Sequence, residues 1–275
     1  MEQLDLERLI KIDGFYMPEL DRERTIRIYL PKDYNSSTQR YPVIYMHDGQ
    51  TIFDGENAFG GQNWHVHSSL DKFFSNDGGA IVVGIDNGVE FDGLCRMYEY
   101  SPWKMDQDFD LPSWDQGVKA SGGQGKLYTD FIVKTLKPYI DAHFRTKPER
   151  ESTVIAGSSM GGYISLFAVL EYPGVFSKAG VFSPALWFNE SEMMNYIKQT
   201  HVSLPTKIYL DMGTDETSDH QLDFAHIYLD GAEKIHHALK FIPSLDVKYV
   251  IGEGDKHDGD AWGKRFPLML EHFFT

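Results

Sequence analysis

The chain has 275 residues, 41% of them hydrophobic and 24% charged, enough to bury a large core in one α/β domain. Its 26 basic residues against 41 acidic ones leave a formal charge of −15. That balance argues against nucleic acid or an anionic membrane as a partner, since both need a concentrated positive face. The single cysteine, Cys95, has no partner in the chain for a disulfide, which fits a reducing compartment. The start, "MEQLDLERLIKIDGF", lacks the unbroken apolar core of a signal peptide, and no run is long enough to span a bilayer. A cytoplasmic protein is expected.

No internal repeat or low-complexity linker interrupts the chain. "RTIRIYLP" (24–31) alternates with period two and is expected to form an early antiparallel strand. "YPVIYMHD" (41–48) is a continuous β-branched and aromatic run, as befits a strand buried on both faces. "NWHVHSSLDKFF" follows as a helix, then "GAIVVGID" (79–86) as a second buried strand. Residues 88–122 fit neither period; they are rich in aromatic and acidic side chains, which predicts an ordered, aromatic-rich insertion over the sheet's edge. "GKLYTDFIVKTLKPYIDAHF" (125–144) is a long amphipathic helix, and "STVIAGS" (152–158) the next buried strand, running into an apolar helix. "KAGVFSP", "KIYLDMG" and "DVKYVIG" read as later strands, and "FAHIYLDGAEKIHHALKF" and "GDAWGKRFPLMLEHFF" as later helices. Strands alternating with helices imply a mostly parallel sheet covered on both faces.

Between strand and helix stands Gly157-Ser158-Ser159-Met160-Gly161, a G-x-S-x-G pattern. Such a turn lifts the central serine, Ser159, above the sheet, and its glycines let helix and strand approach closely. It also aims the N–H of Met160 toward an oxyanion, at the positive end of the helix. A plain N-cap serine would explain the bare pattern. The flanking strand and helix favour a nucleophile.

A serine hydroxyl attacks only when a histidine takes its proton and an acid orients that histidine. At such turns the acid and then the histidine follow the serine in the chain. His257, in "GEGDKHDGDAW", comes directly after a strand in a glycine-rich loop. His236, His237 and His272 fall inside helical patterns, while His201, His220 and His226 come too early. "KIYLDMGTDETSDH" offers the acid: Asp211 lies within the strand, and Asp215 and Glu216 at its tip, where open sheets place their sites. The pattern alone does not separate those two neighbours.

Several stretches together carry a family resemblance: "YPVIYMHDGQTIFD", "IVVGIDNG", "RMYEYSPW", "STVIAGSSMGGYISLFAVLEYPGVFSKAGVFSPALW", "GTDE" and "KHDGDAW". From about residue 25 onward the chain resembles the esterase family of α/β hydrolases, which includes enterochelin, feruloyl and acetyl-xylan esterases, S-formylglutathione hydrolases and mycolyltransferases. The resemblance implies an α/β-hydrolase fold over residues 1–275 and a serine esterase with a catalytic triad and no cofactor or metal. It implies Glu216 as the acid in preference to Asp215, and the N–H of Gln50, just after "HDG", as a second oxyanion donor beside Met160. It also places "RMYEYSPW" on the acyl or leaving-group side, making Arg96, Tyr100 and the more distant Trp187 expected substrate contacts. Each has a plainer reading: Arg96 as an ion pair with Glu99, and Trp64, Trp187 and Trp262 as core.

The expected reaction is hydrolysis of a carboxylic ester, a small-molecule substrate, through an acyl-enzyme. Acyl transfer at the same site, and a silent hydrolase-fold binding protein, are the alternatives. Intact Ser159 and His257 argue against the silent protein.

Overall fold

The computed structural model describes residues 4–53, 63–75, 78–113 and 116–275. Eight strands form one sheet in the order β1-β2-β4-β3-β5-β6-β7-β8. They are β1 (Leu9–Met17), β2 (Arg22–Tyr29), β3 (Val43–His47), β4 (Ile81–Ile85), β5 (Thr153–Ser158), β6 (Lys178–Phe182), β7 (Thr206–Asp215) and β8 (Leu245–Lys256). β2 is antiparallel to both β1 and β4, and every pairing from β4 to β8 is parallel. This is the mostly parallel sheet that the alternating pattern implies.

The helices are α1 (Val66–Phe73), α2 (Cys95–Glu99), α3 (Gln116–Lys119), α4 (Gly125–Phe131), α5 (Lys137–His143), α6 (Met160–Glu171), α7 (Glu190–Gln199), α8 (Phe224–Leu239) and α9 (Gly259–Phe274). Side-chain alternation along the buried strands divides the core between the two faces. Tyr45, Val83, Ile155 and Leu210 pack with Phe131 of α4, Ile164 of α6 and Ile235 of α8. Their chain neighbours Ile44, Val82, Val154 and Tyr209 pack on the opposite face with Leu70 of α1 and Phe266 and Leu270 of α9. Both faces are sealed, which is why β3, β4 and β5 are buried at every position rather than at every second one.

Three features depart from the sequence reading. β1 gives no clean alternation, because it is an edge strand, mostly exposed, with an irregular register between Ile12 and Phe15. The expected helix over 125–144 contains a π segment, Ile132–Leu136, between α4 and α5. Pro138 accounts for it: the ring has no N–H to give and crowds the carbonyl four residues back. α7 was not legible as a periodic run.

Within 88–122, α2 and α3 are helical and residues 114 and 115 lie outside the described residues. Residues 104–113 of this segment reach the loops after β6 and β7. The Asp106 N–H donates to the Phe188 carbonyl at 2.8 Å, Asn189 Nδ2 donates to the Lys104 carbonyl at 2.8 Å, and the Ser113 hydroxyl donates to Asp219 at 2.9 Å. No helix among the described residues is long and apolar enough to cross a membrane.

Candidate active site

β5 ends at Ser158 and α6 begins at Met160, so Ser159 alone makes the turn, with φ 58° and ψ −123°. A non-glycine residue rarely adopts that conformation, and it is held here on both sides. The Ser159 N–H donates to the Phe182 carbonyl at 3.0 Å, and its own carbonyl accepts from Tyr163 and Ala185. The glycines are there for space. A Cβ on Gly157 would come 2.9 Å from the Gly161 backbone and from the His47 ring, and one on Gly162 would come 2.8 Å from the Phe182 carbonyl. As the first residue of α6, Met160 has an N–H with no acceptor inside the helix.

Glu216 follows β7 directly and is 1% exposed. One carboxylate oxygen accepts from the Gly213 N–H at 2.7 Å and from the Ser183 hydroxyl. The other meets Nδ1 of His257, just past the end of β8. Burial pushes the Glu216 carboxyl up, but the His257 imidazole and the hydrogen bonds from His257, Ser183 and Gly213 outweigh it and hold it below the usual glutamate range. Asp215 points to solvent instead. The two neighbours that the sequence left unresolved are therefore distinguished by which way the chain turns after the strand.

A buried layer backs this pair. The Ser183 hydroxyl accepts from Trp262 Nε1 at 2.9 Å and from Arg265 at 3.0 Å while donating to Glu216. Arg265, 2% exposed, is itself paired with Asp211 at 2.9 Å and Asp255 at 2.8 Å. Asp211 is thus a structural ion-pair partner. Over the imidazole, Trp262 packs edge-on at 5.0 Å and Tyr228 tilts across at 4.8 Å. The Tyr228 hydroxyl lies 3.4 Å from Nε2 of His257.

The turn after β3 forms the opposite wall. Asp48 is left-handed, with φ 56°, and opens the single turn Gly49–Thr51. The first hydrogen bond of that turn runs from the Thr51 N–H to the Asp48 carbonyl, so the Gln50 N–H precedes it. Arg96 grips both Asp48 carboxylate oxygens at 2.8 Å and reaches the Ser158 carbonyl at 3.2 Å. One guanidinium therefore ties the Gln50 turn to the Ser159 turn. Burial pushes the Asp48 carboxyl up, yet the adjoining Arg96 and Asn87 hold it below the usual aspartate range.

Arg96 and Tyr100, the expected substrate contacts, both make contacts within the protein, and the ion pair of Arg96 with Glu99 is corrected. Arg96 does not pair with Glu99, which is fully buried and held by Arg22 at 2.8 Å and Arg24 at 2.6 Å from β2. Its guanidinium is held by Asp48 and the Ser158 carbonyl through Nε and Nη2. Tyr100 is also fully buried, behind the turn, where its hydroxyl oxygen accepts from the Asp48 N–H at 3.2 Å. Both residues support the Gln50 turn. Trp187, 5% exposed, stacks on Phe109 of the 88–122 segment at 5.6 Å, near Tyr228. Among the described residues no group of three or more His, Cys, Asp or Glu could hold a metal ion.

Ser183, Arg265 and Tyr228 escaped the sequence reading. Ser183 falls in an ordinary strand end, and Arg265 and Tyr228 keep the helical period of their segments. No local signal distinguishes them.

Residues 17–273 match the family described as "Putative esterase". Among curated proteins, the uncharacterized protein YbbA of Bacillus subtilis is 26% identical over 217 residues, covering 79% of this chain and 78% of its own. Among solved structures, the BES protein from Bacillus cereus superposes with a TM-score of 0.72 at 20% identity, covering 99% of this chain and 97% of its own. An IroE-like serine hydrolase from Shewanella oneidensis also reaches 0.72, at 22% identity, covering 96% of this chain and 78% of its own. These two structures share the fold.

Proposed function

The chain belongs to this esterase family, and from that premise we propose that it hydrolyses carboxylic esters through an acyl-enzyme, with Ser159, His257 and Glu216 as the triad. The observation that carries the proposal is the Glu216–His257 pair, buried on its acid side, with the Tyr228 hydroxyl as a common neighbour of His257 and of the strained Ser159 turn. Ser159 attacks the ester carbonyl as His257 Nε2 takes its proton. Glu216 accepts the hydrogen bond from Nδ1, which fixes the tautomer that leaves Nε2 free as a base, and it stabilises the imidazolium that forms. The N–H groups of Gln50 and Met160 receive the tetrahedral oxyanion. His257 returns the proton to the leaving alcohol. Water, activated by the same nitrogen, then releases the acid. No step calls on a metal or cofactor.

The test is covalent labelling with a fluorophosphonate probe. Folded wild-type protein should carry the adduct on Ser159, and Ser159→Ala should neither label nor turn over an ester, with kcat lower by on the order of 10³-fold or more. Ester turnover surviving in Ser159→Ala would refute the assignment. Absence of labelling in folded wild type would favour a silent hydrolase-fold protein.

A further inference from the structure

We propose that the Tyr228 hydroxyl is a further catalytic group, donating a hydrogen bond to the alcohol oxygen of the ester as it leaves. The inference rests on the acyl-enzyme reading above. Tyr228 stands one turn into α8 and is 2% exposed, with its ring laid across the His257 imidazole at 4.8 Å. Its hydroxyl is 3.4 Å from Nε2 of His257 and 2.8 Å from the Ser218 hydroxyl. Ser159 and Trp187 are its other polar neighbours.

That position coincides with the path of the leaving group. In the tetrahedral intermediate the alcohol oxygen and Ser159 Oγ are bonded to the same carbon, and the alcohol oxygen must face Nε2 to receive its proton. A hydroxyl within reach of both Ser159 and Nε2 is within reach of that oxygen too. The direction of its hydrogen follows from its neighbours. The Ser218 hydroxyl, 2.8 Å away, can donate into one lone pair of the tyrosine oxygen, and the Trp187 indole lies close by. The phenolic hydrogen is then free to point into the site. Burial raises the phenol to about 12, so it keeps that hydrogen at any working pH.

The step balances without any further reactant. The bond between the former carbonyl carbon and the alcohol oxygen breaks, its electron pair goes to that oxygen, and the oxyanion collapses to the acyl carbonyl. The proton on Nε2 moves to the leaving oxygen. Tyr228 loses nothing; it donates a hydrogen bond to the oxygen while negative charge builds there.

Stabilising a leaving oxygen matters most when the alcohol is a poor leaving group. The test compares Tyr228→Phe with wild type on two esters of one acyl group, an ethyl ester and a p-nitrophenyl ester. The quantity read is kcat/KM, which reports the steps through alcohol release. The ethyl ester should lose on the order of 10- to 100-fold and the p-nitrophenyl ester less than about 3-fold, as for one hydrogen bond to a charged group. Equal losses on both esters, or none, would overturn the proposal and leave Tyr228 as packing for His257. If circular dichroism shows that Tyr228→Phe does not fold, Ser218→Ala decides by the same ratio. It should shift that ratio in the same direction, and an unmoved ratio counts against the proposal. Ser159→Ala run beside them tests the parent reading separately: residual turnover there sinks the acyl-enzyme whatever the tyrosine ratio does.

Discussion

At the scale of single residues, the geometry separates side chains that adjoin each other in sequence. Glu216 and Asp215 carry the same charge, but only Glu216 is buried against His257. Glu216→Gln should therefore lower kcat by on the order of 10⁴-fold, since an amide can hold the wrong imidazole tautomer. Asp215→Asn should stay within a few-fold of wild type. A steady-state comparison of the two variants checks this, and the reverse ranking would move the acid to Asp215. Arg96 carries a second prediction. Because its guanidinium joins Asp48 to the Ser158 carbonyl, Arg96→Ala should loosen the turn bearing Gln50, not a substrate contact. It should cost small acetyl esters and bulky esters alike, on the order of 10²-fold, comparable to losing an oxyanion donor. A loss confined to bulky esters would return Arg96 to the role of a specificity residue.

At the scale of elements, the site depends on how closely α6 and β3 approach β5. Gly157 is the tightest point, touching both the first turn of α6 and the His47 ring at the end of β3. Gly157→Ala should force strand and helix apart and cost about 1–3 kcal/mol or more in stability. Urea denaturation measures that cost, and turnover should fall with it because Ser159 rides on the same junction. A stable, fully active variant would show that the junction has slack. The segment 88–122 acts at this scale as well. α2 delivers Arg96 and Tyr100 to the back of the Gln50 turn, while Phe109 reaches over to stack on Trp187. We propose that this segment serves as both the brace of one wall and the cover of the other.

At the scale of the whole molecule, His47 links the site to acid stability. It is 1% exposed beneath the site, with Nδ1 against the Tyr128 hydroxyl at 2.9 Å, and burial pushes its pKa from 6.5 down to about 3. The charged groups facing it partly cancel, Asp48 raising and Arg96 lowering it. Between those two pH values the unfolded chain binds a proton that the folded chain refuses, so stability falls as the pH drops through this window. Integrated over the window, the loss is up to about 5 kcal/mol. Melting temperatures from pH 7 to 4 should fall steeply for wild type and less steeply for His47→Asn, which retains a polar group near the Nδ1 position. Parallel curves would remove His47 from the acid response. Glu216 adds to this loss at lower pH. Its carboxyl is held below the ordinary value of 4.5, so its contribution is present above that value and is lost as the pH falls beneath it.

What the sequence determined by itself is whatever local chemistry dictates. Short β-branched runs bounded by turn residues read as strands sealed on both faces, and β3, β4 and β5 are such strands. Glycines around a serine between strand and helix predict a tight junction, and Ser159 makes that turn. A histidine in a glycine-rich loop after a strand pointed to His257. The tertiary structure decided everything that depends on which distant side chains meet. The partner of Arg96 is 48 residues earlier in the chain and not three later, because burial of Glu99 between Arg22 and Arg24 had already claimed the nearer carboxylate. Likewise, Ser183, Trp262 and Arg265 converge behind Glu216 from the end of β6 and from α9. Tyr228 reaches His257 from α8 with nothing in its own segment to mark it. Periodicity records which side of a helix is buried, not what it is buried against. Only the packing of α8 and α9 beside the ends of β6, β7 and β8 supplies that.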